Sequence, residues 1–494
     1  MVMARLPATR RPSKLPGVKR KTKIIATLGP AVQNYEAIRE LVIAGMNVAR
    51  LNFSHGDYET HDMFVNWVRR ASDELETAVA VLQDIQGPRI RVGTFPGGRV
   101  HLTAGTDVVL LPGEGEGSAE RVYIGHLADA DLSAGASVMM SDGLVALEVI
   151  SRRGAEVIVR VLEGGDLSDH KGVAFPGTPI GIPAVTPKDE DDLAFGATLG
   201  VDLVAASFVS SGADIRRIKK LAPGIPVIAK IESAVGYGNL DDILEEAHGT
   251  MVARGDLGVE LSLESVPRAQ KDILARTNTR ARVSITATEM LESMTHSPRP
   301  TRAEVTDVSS AILDGTDAVM LSAETAVGDY PIRAVEMMDR ICREVEQSPD
   351  YGRGPEIHFL EDRARFASAT AQACVDAASN LGLGAIVAFT ESGSTARLIS
   401  KYRPRADIFA YTPHERTYRR MALYAGVTPL PFHPVESTDE MLQYAEQNLL
   451  AAGIVKPGDG VVMAAGIPPN QSASTNLMKL HSVGESTLGI PGGD

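Results

Sequence analysis

At 494 residues the chain is too long for one ordinary core, so roughly two to four domains are expected. A net charge of −14 argues against a nucleic-acid or anionic-membrane protein, although an acidic whole can still hold a local basic pocket. The composition is globular, the two cysteines Cys342 and Cys374 exclude a disulfide framework and suit a reducing cytoplasm, and no apolar stretch reaches the ~18–20 residues that span a bilayer.

Before Glu36 there is no acid, while Arg5, Arg10, Arg11, Lys14, Lys19, Arg20, Lys21 and Lys23 are basic. Such a start has the character of an organelle transit peptide, but its prolines and weak amphipathic pattern favour a solvated tail over residues 1–20. From residue 23, short apolar β-rich runs alternate with longer helical patterns, the mark of a parallel α/β fold. The runs are KIIATLG (23–29), NVARLNF (47–53), AVAVLQDI (78–85), LVAASFV (203–209), PVIAKIE (226–232), TMVARGDL (250–257), VSITATEM (283–290) and AVMLSAET (318–325). Helical patterns at 34–44, 58–74, 189–200, 211–222, 262–280 and 301–314 separate them. Eight strand–helix units predict a closed (β/α)8 TIM barrel, and continuous apolar runs suit parallel strands buried on both faces.

The interval between the third and fourth runs is too long for a βα loop. Residues 95–183 read instead as short strands with Gly-rich turns, a small β-barrel lid inserted at the barrel's C-terminal face, with 21–94 and 184–348 forming the barrel. Over 349–494 the alternation restarts with a helix at 366–380, the runs AIVAFT, DIFAYT, VTPLPF and VVMAAG, and a strand near 476–484. That pattern predicts a separate open α/β domain.

Polar residues stand at nearly every barrel strand end: Thr27; Arg50, Asn52 and Ser54; Asp84; Ser207; Lys230 and Glu232; Asp256; Thr288; Ser322 and Glu324. One such residue is ordinarily a cap or a turn, but capping does not explain eight ends of mixed charge. Lys and Glu are rarely buried unpaired, so IAKIES inside a barrel strand is the most telling string. Glu232 and Asp256 offer oxygens to a hard cation such as Mg²⁺, and Arg50, Arg91 and Lys230 offer charge to phosphate or carboxylate. Gly255-Asp256 opens onto a helix whose N–H groups favour an anion. The tripeptide Arg254-Gly255-Asp256 is read only as a buried strand end. There is no Walker A loop, Gly-rich kinase loop or GxSxG elbow. The residues alone indicate a Mg²⁺-dependent barrel enzyme acting on a phosphorylated or carboxylated small molecule.

The strings KTKIIATLGP, GMNVARLNFSHG, LQDIQGPRIRVG, HKGVAFPG, IAKIES, MVARGDLGVE, TATEMLESM, PTRAEVTDVSSAILDGTDAVMLSAETAVGDYP and SGSTARLISKYRPRA resemble pyruvate kinases, in that family's order, over about residues 20–484. The resemblance implies a barrel, a lid and a regulatory C-terminal domain, and a cytoplasmic enzyme, tetrameric by analogy. It implies Mg²⁺-dependent phosphoryl transfer from phosphoenolpyruvate to ADP, giving pyruvate and ATP in the last step of glycolysis, with Mn²⁺ as a substitute metal. No nucleic acid or membrane partner is implied. Arg50 then matches the arginine that holds the phosphoryl group, and Lys230 the residue that stabilises it in flight. Glu232 and Asp256 match the Mg²⁺ ligands, while the 253–255 backbone, including Gly255, and Thr288 cradle the substrate carboxylate. Asn52, His55, Arg91 and Lys171 match the nucleotide side, and Ser207 a water-mediated partner. Asn52, Ser54 and Asp84 match a monovalent-cation pocket.

Two departures bear on regulation and ion use. The family's usual form has Thr, Lys and Glu where this chain has Ile85, Gln86 and Arg89. A cation in place of that glutamate resembles the pyruvate kinases that need no K⁺, so Arg89 is expected to fill the pocket; the other reading has it pointing to solvent. Glu289, where many relatives carry Gln, has no assigned effect. Thr390, Ser392, Ser394 and Thr395 precede or open a helix where the family's sugar-phosphate effectors dock. The loop at 466–476 lacks the usual glycines and basic residue, so an ordinary helix start is the alternative there. Two other functions stay open: a metal-dependent aldolase or lyase, which gives no reason for the lid or Lys171, and a non-catalytic effector-sensing paralogue, which the intact site set opposes.

Overall fold

The computed structural model of the chain describes residues 20–352, 365–433, 435, 437–467 and 475–485. All but Arg20 of the basic tail, and most of the 466–476 loop, lie outside those residues. The strands Lys23–Thr27, Val48–Asn52, Ala80–Ile85, Leu203–Ala206, Val227–Ile231, Gly249–Ala253, Val283–Ala287 and Ala318–Leu321 close into a parallel barrel, each paired with its sequence neighbours, the last with the first. The fold class read from the sequence is therefore the one observed. Seven of the eight runs extend past their strands at the C-terminal end, because the polar residues there leave the ladder to form the mouth, whereas the run 78–85 ends with its strand at Ile85. Gly249 has a packing reason, since a Cβ there would sit 2.3 Å from the Val283 carbonyl oxygen on the adjacent strand.

Helices between strands start on the caps their sequences offer. Asp57 accepts the Thr60 N–H ahead of Tyr58–Glu74, and Thr186 with Asp189, then Thr301 with Glu304, form reciprocal capping boxes. One face of each strand packs against these helices through Ala49, Val81, Val227 and Val319, while Val48, Leu82, Ile228 and Met320 fill the interior.

The insert after the third strand carries a six-stranded sheet and a two-stranded ribbon of Arg99–Leu102 with Gly165–Ser168. Both cover one apolar core that includes Phe95, Leu110, Leu147, Leu167 and Phe175. The C-terminal unit is a five-stranded sheet ordered Val427–Pro431, Asp407–Thr412, Ala385–Phe389, Gly460–Ala465 and Leu477–Ser482, with only the last strand antiparallel. Its Ile386, Ala388 and Ile408 continue the same core as the barrel interior, so the two units are packed end to end. Cys342 and Cys374 are free thiols, pushed up to about 12 by burial. Among the described residues, no helix is long and apolar enough to cross a membrane.

A buried ion cluster pins this seam. Asp317, just before the last barrel strand, meets Lys401 of helix Ser394–Lys401, and Arg403 Nη1 bonds its Oδ1 at 2.7 Å. Lys401 and Asp317 are each 1% exposed. Burial alone would raise the Asp317 carboxyl, but Lys401 and Arg403 outweigh it and hold it below the usual carboxylate range. A depressed carboxylate contributes stability above its unfolded pKa and loses it as pH falls through the folded one. Asp317→Asn is therefore expected to cost about 3–5 kcal/mol at neutral pH, because two buried cations lose their counter-ion. Melting temperatures of both proteins should converge as pH drops below the ordinary carboxylate range; a gap that stays constant down to acid pH would show that the charge is not what matters.

Candidate active site

Strand alternation turns the reactive side chains inward. Val48 faces the interior and Ala49 the helices, so Arg50 faces the interior again. The same two-residue period carries Leu82 to Asp84, Ala205 to Ser207 and Ile228 to Lys230. Register then sets Asp84 beside Asn52 on one neighbouring strand and Ala205 on the other.

At that level the charges interlock. Arg50 Nε donates to Asp84 Oδ2 at 2.7 Å, and its Nη1 to Thr27 Oγ1 at 3.0 Å. Lys230 Nζ lies 2.9 Å from Glu232 Oε1 and 3.2 Å from Asp84 Oδ1, and donates to Ser207 Oγ at 2.7 Å. Ser207 in turn donates to the Ile85 carbonyl at 2.7 Å. The ammonium thus faces three oxygens, one for each proton. Burial would neutralise Lys230, but Asp84 and Glu232 outweigh it and keep its pKa above the ordinary value. Burial likewise would raise Asp84, but Lys230 and Arg50 hold it down.

Glu232 behaves oppositely. Burial raises its carboxyl, Lys230 lowers it, and nearby Asp256 raises it again. The Phe208 N–H donates to Glu232 Oε2 at 2.6 Å from a left-handed backbone with φ of 53°. A buried carboxylate driven toward proton uptake by a second one is an all-oxygen donor pair that a hard divalent cation would relieve. Among the described residues no three His, Cys, Asp or Glu side chains form a metal cluster. Two carboxylates fit Mg²⁺ by their donor chemistry, since it commonly takes one or two and leaves its other positions to water and substrate.

Arg50, Arg89, Lys230, Glu232, Asp256 and Thr288 line one cavity of about 100 Å³, with Met251, Ala287 and Met320 as its apolar side. Thr288 Oγ1 accepts the Gly255 N–H at 2.9 Å and donates to the Ala287 carbonyl at 2.7 Å. Thr288 and Glu289 are both left-handed, with φ of 66° and 53°, a costly conformation for two successive side-chain-bearing residues. Arg254 holds it in place: Nη2 donates to the Thr288 carbonyl at 2.7 Å, Nε to that of Ala287 at 3.3 Å, and Nη1 to Asp307 Oδ1 at 2.7 Å. Sequence reasoning passed over Arg254, because a guanidinium that binds main-chain carbonyls leaves no motif.

Other expected residues lie around this cavity rather than in its wall. Asn52 Oδ1 accepts the Ser54 N–H at 3.2 Å, and Arg89 Nη2 approaches Ser54 Oγ at 3.4 Å. His55 is exposed, and its carbonyl lies 3.1 Å from His61 Nε2. Arg91 pairs with Gly172 and donates to the His170 carbonyl at 2.7 Å, which places it beside the exposed Lys171 at the root of the insert. Glu324 turns away from the mouth and is fully buried, bonding the Leu291 and Ser322 N–H groups.

Of the four hydroxyls in the C-terminal loop, two are engaged and buried. Thr390 accepts the Gly393 N–H at 2.9 Å, and Thr395 bonds Thr475 at 2.7 Å. Ser392 and Ser394 bond each other at 3.1 Å and are the accessible pair.

A family model described as pyruvate kinase, barrel domain, matches residues 19–335, and one described as pyruvate kinase, alpha/beta domain, matches residues 368–481. The chain is 43% identical over 477 residues to a pyruvate kinase of Geobacillus stearothermophilus, covering 95% of this chain and 81% of that protein. It is also 43% identical over 476 residues to one of Bacillus licheniformis, covering 94% and 81%. A pyruvate kinase of Staphylococcus saprophyticus is 43% identical over 480 residues, with the same coverage of 94% and 81%.

Proposed function

The chain belongs to the pyruvate kinase family and is an enzyme of that kind, and from that premise we propose how its residues divide the work. It transfers the phosphoryl group of phosphoenolpyruvate to ADP as the last step of glycolysis, using Mg²⁺ (Mn²⁺ as a substitute) and no K⁺. A cytoplasmic setting fits its two free thiols. The proposal also sets the barrel at 21–94 and 184–348, the lid at 95–183 and the regulatory domain at 349–494.

The observation that carries this reading is the convergence of Arg50 and Lys230 with a carboxylate pair in one buried cavity. Arg50 and Lys230 bind the phosphoryl oxygens, and Asp84, bonded to both, fixes their separation. The Gly255 N–H and the Thr288 hydroxyl, which here bond Thr288 Oγ1 and the Ala287 carbonyl, turn to the substrate carboxylate when it binds, and a water beside Thr288 brings a proton to the leaving enolate carbon. ADP attacks in line from the side of Asn52, His55, Arg91 and Lys171, and the lid over it excludes water. Glu232 and Asp256 would hold Mg²⁺, which would supply charge neutralisation for the anionic oxygens. Ser392 and Ser394 are the accessible part of an effector loop, and the assembly is a homotetramer.

A coupled assay for ADP-dependent pyruvate formation tests the core of this proposal. Chelation of divalent metal is expected to stop turnover and added Mg²⁺ to restore it; activity that survives chelation removes Glu232 and Asp256 from their assigned role. A second expected result concerns the carboxylate cradle. Arg254→Met should lower kcat/KM for phosphoenolpyruvate by about 10²-fold, mainly through KM, because the left-handed turn at Thr288 loses its clamp. Arg254→Lys should recover little, since one ammonium cannot bridge two carbonyls and Asp307. An unchanged KM in Arg254→Met would show that Thr288 holds its conformation without help.

A further inference from the structure

The insert is joined to the barrel on one side and touches it again on another. It leaves after the third strand, Ala80–Ile85, yet two of its turns reach the helix that follows the sixth, Gly249–Ala253. That helix, Arg254–Glu260, carries Gly255 and Asp256 in its first turn, and its last two residues meet the insert. The first contact is apolar: a Cβ placed on Gly143 would lie 3.7 Å from Val259 Cγ2. Ser141, Asp142 and Gly143 are all left-handed, with φ of 52°, 58° and 85°, so a tight turn presents bare backbone to the helix. The second contact is polar, from the Gly177 N–H to the Glu260 carboxylate. Gly177, with φ of 72°, follows Pro176 in a turn closed by the Thr178 N–H on the Phe175 carbonyl at 2.9 Å, the sequence and sign of a type II turn. Phe175 is 1% exposed in the insert's own core, which ties this turn to the insert as a whole.

Glu260 has a further partner on the barrel. The Ala234 N–H donates to its Oε2 at 3.4 Å, and Ala234 stands two residues past Glu232. Asp256 lies one helical turn before Glu260, on the same face. One carboxylate is thus bonded to the insert and to the segment that carries Glu232, and it shares a helix with Asp256. Helix formation gives no reason for an acid there, because a negative charge at the last position opposes the helix dipole. Burial raises the Glu260 carboxyl, and the Ala234 and Gly177 N–H groups pull it back down.

We propose that Glu260 is a positioning residue that couples docking of the insert to the spacing of Glu232 and Asp256. The inference rests on the assignment of those two carboxylates to Mg²⁺ and of the insert to a lid. While the insert is down, Glu260 is held from both sides, and the strand end at Glu232 and the helix at Asp256 keep one separation. When the insert lifts, Glu260 keeps its barrel partner alone, and the pair loses a tie that sets its geometry. Lid docking and metal binding therefore strengthen each other by the same factor.

Two measurements on the full-length enzyme without substrates test this. Mn²⁺ affinity is read from the paramagnetic resonance of the free ion, and amide exchange over residues 175–178 by mass spectrometry. In the wild type, saturating Mn²⁺ is expected to slow that exchange by about 5–10-fold. Glu260→Ala should speed exchange of the segment without metal, remove its response to Mn²⁺, and weaken Mn²⁺ binding by a similar factor. Glu260→Gln, whose amide oxygen still accepts an N–H, should fall between the two, and it decides the matter by the same readings if Glu260→Ala does not fold. Glu232→Gln tests the underlying assignment: if it leaves Mn²⁺ affinity untouched, the metal pair and the coupling fall together. If Glu232→Gln loses the ion while Glu260→Ala binds it as the wild type does, the metal pair stands and the coupling is overturned. Exchange over 175–178 that ignores Mn²⁺ in the wild type overturns the coupling as well.

Discussion

Lys230→Met is expected to lower the rate of pyruvate formation by at least about 10³-fold while the protein stays folded. Methionine matches the length of the lysine stem, and Lys230 is in register with Met251 on the adjacent strand, so the apolar side of the cavity accepts it. Asp84 would keep its bond to Arg50. Removing one preorganised donor from a buried site typically costs about 10²–10³ in kcat. Lys230 does more than donate once, because it faces Asp84, Glu232 and Ser207 together. Without it the Glu232 carboxyl would rise further, since burial and Asp256 already push it up, and the metal pair would weaken as well. The loss should fall on kcat more than on KM for phosphoenolpyruvate, because Arg50 still binds the phosphoryl group. A variant that keeps a tenth of the wild-type kcat would contradict the assignment of Lys230 to the phosphoryl group in flight.

The parts of this site that were legible in sequence share one property: they are local. An apolar run interrupted by Lys230 and Glu232 shows a burial conflict within six residues, and strand parity predicts which way Arg50, Asp84 and Lys230 point. The closed barrel follows from eight repeats of such a unit. Illegible features depend on contacts between distant segments. Arg254 reaches Asp307 and the turn at Thr288, and Phe208 offers its N–H to Glu232 only because its backbone is left-handed. Glu324 reads like another active-site carboxylate, yet its loop folds it back under the Leu291 turn. The hydroxyl loop at 390–395 reads as four equivalent donors, whereas packing commits Thr390 and Thr395 to the loop itself.

The cations at the two ends of the barrel contrast in the same physical terms. At the mouth Arg50 and Lys230 each have a carboxylate within bonding distance that holds them in place. At the seam one carboxylate, Asp317, holds two cations, Lys401 and Arg403, and also accepts the Ser284 N–H. Net charge does not report either arrangement, because both are averaged into an acidic surface.

Replacing K⁺ by tetramethylammonium at equal ionic strength is expected to leave the wild-type rate unchanged, and Arg89→Glu is expected to create a requirement for K⁺. Arg89 is an exposed residue, yet its guanidinium lines the cavity and approaches Ser54 Oγ at 3.4 Å, next to the Asn52 side chain that fixes the Ser54 N–H. On the proposed assignment of Asn52, Ser54 and Asp84 to a monovalent-cation pocket, it brings a fixed positive charge to the edge of that pocket. Asp84 cannot serve a free cation as readily, since Arg50 and Lys230 already bond it. Reversing the sign at residue 89 changes the local charge by two units. At about 4 Å and an effective dielectric near 20 each unit is worth roughly 4 kcal/mol, but solvent screening at an exposed side chain reduces that to about 1–2 kcal/mol. The K⁺-free rate of Arg89→Glu should therefore fall about 10-fold or somewhat more, and K⁺ should restore it where tetramethylammonium does not. Arg89→Lys should stay independent of K⁺, because the ammonium keeps the charge even though it loses the planar fork. If the wild-type enzyme itself collapses without K⁺, Arg89 does not stand in for the ion, and its approach to Ser54 is only a surface contact.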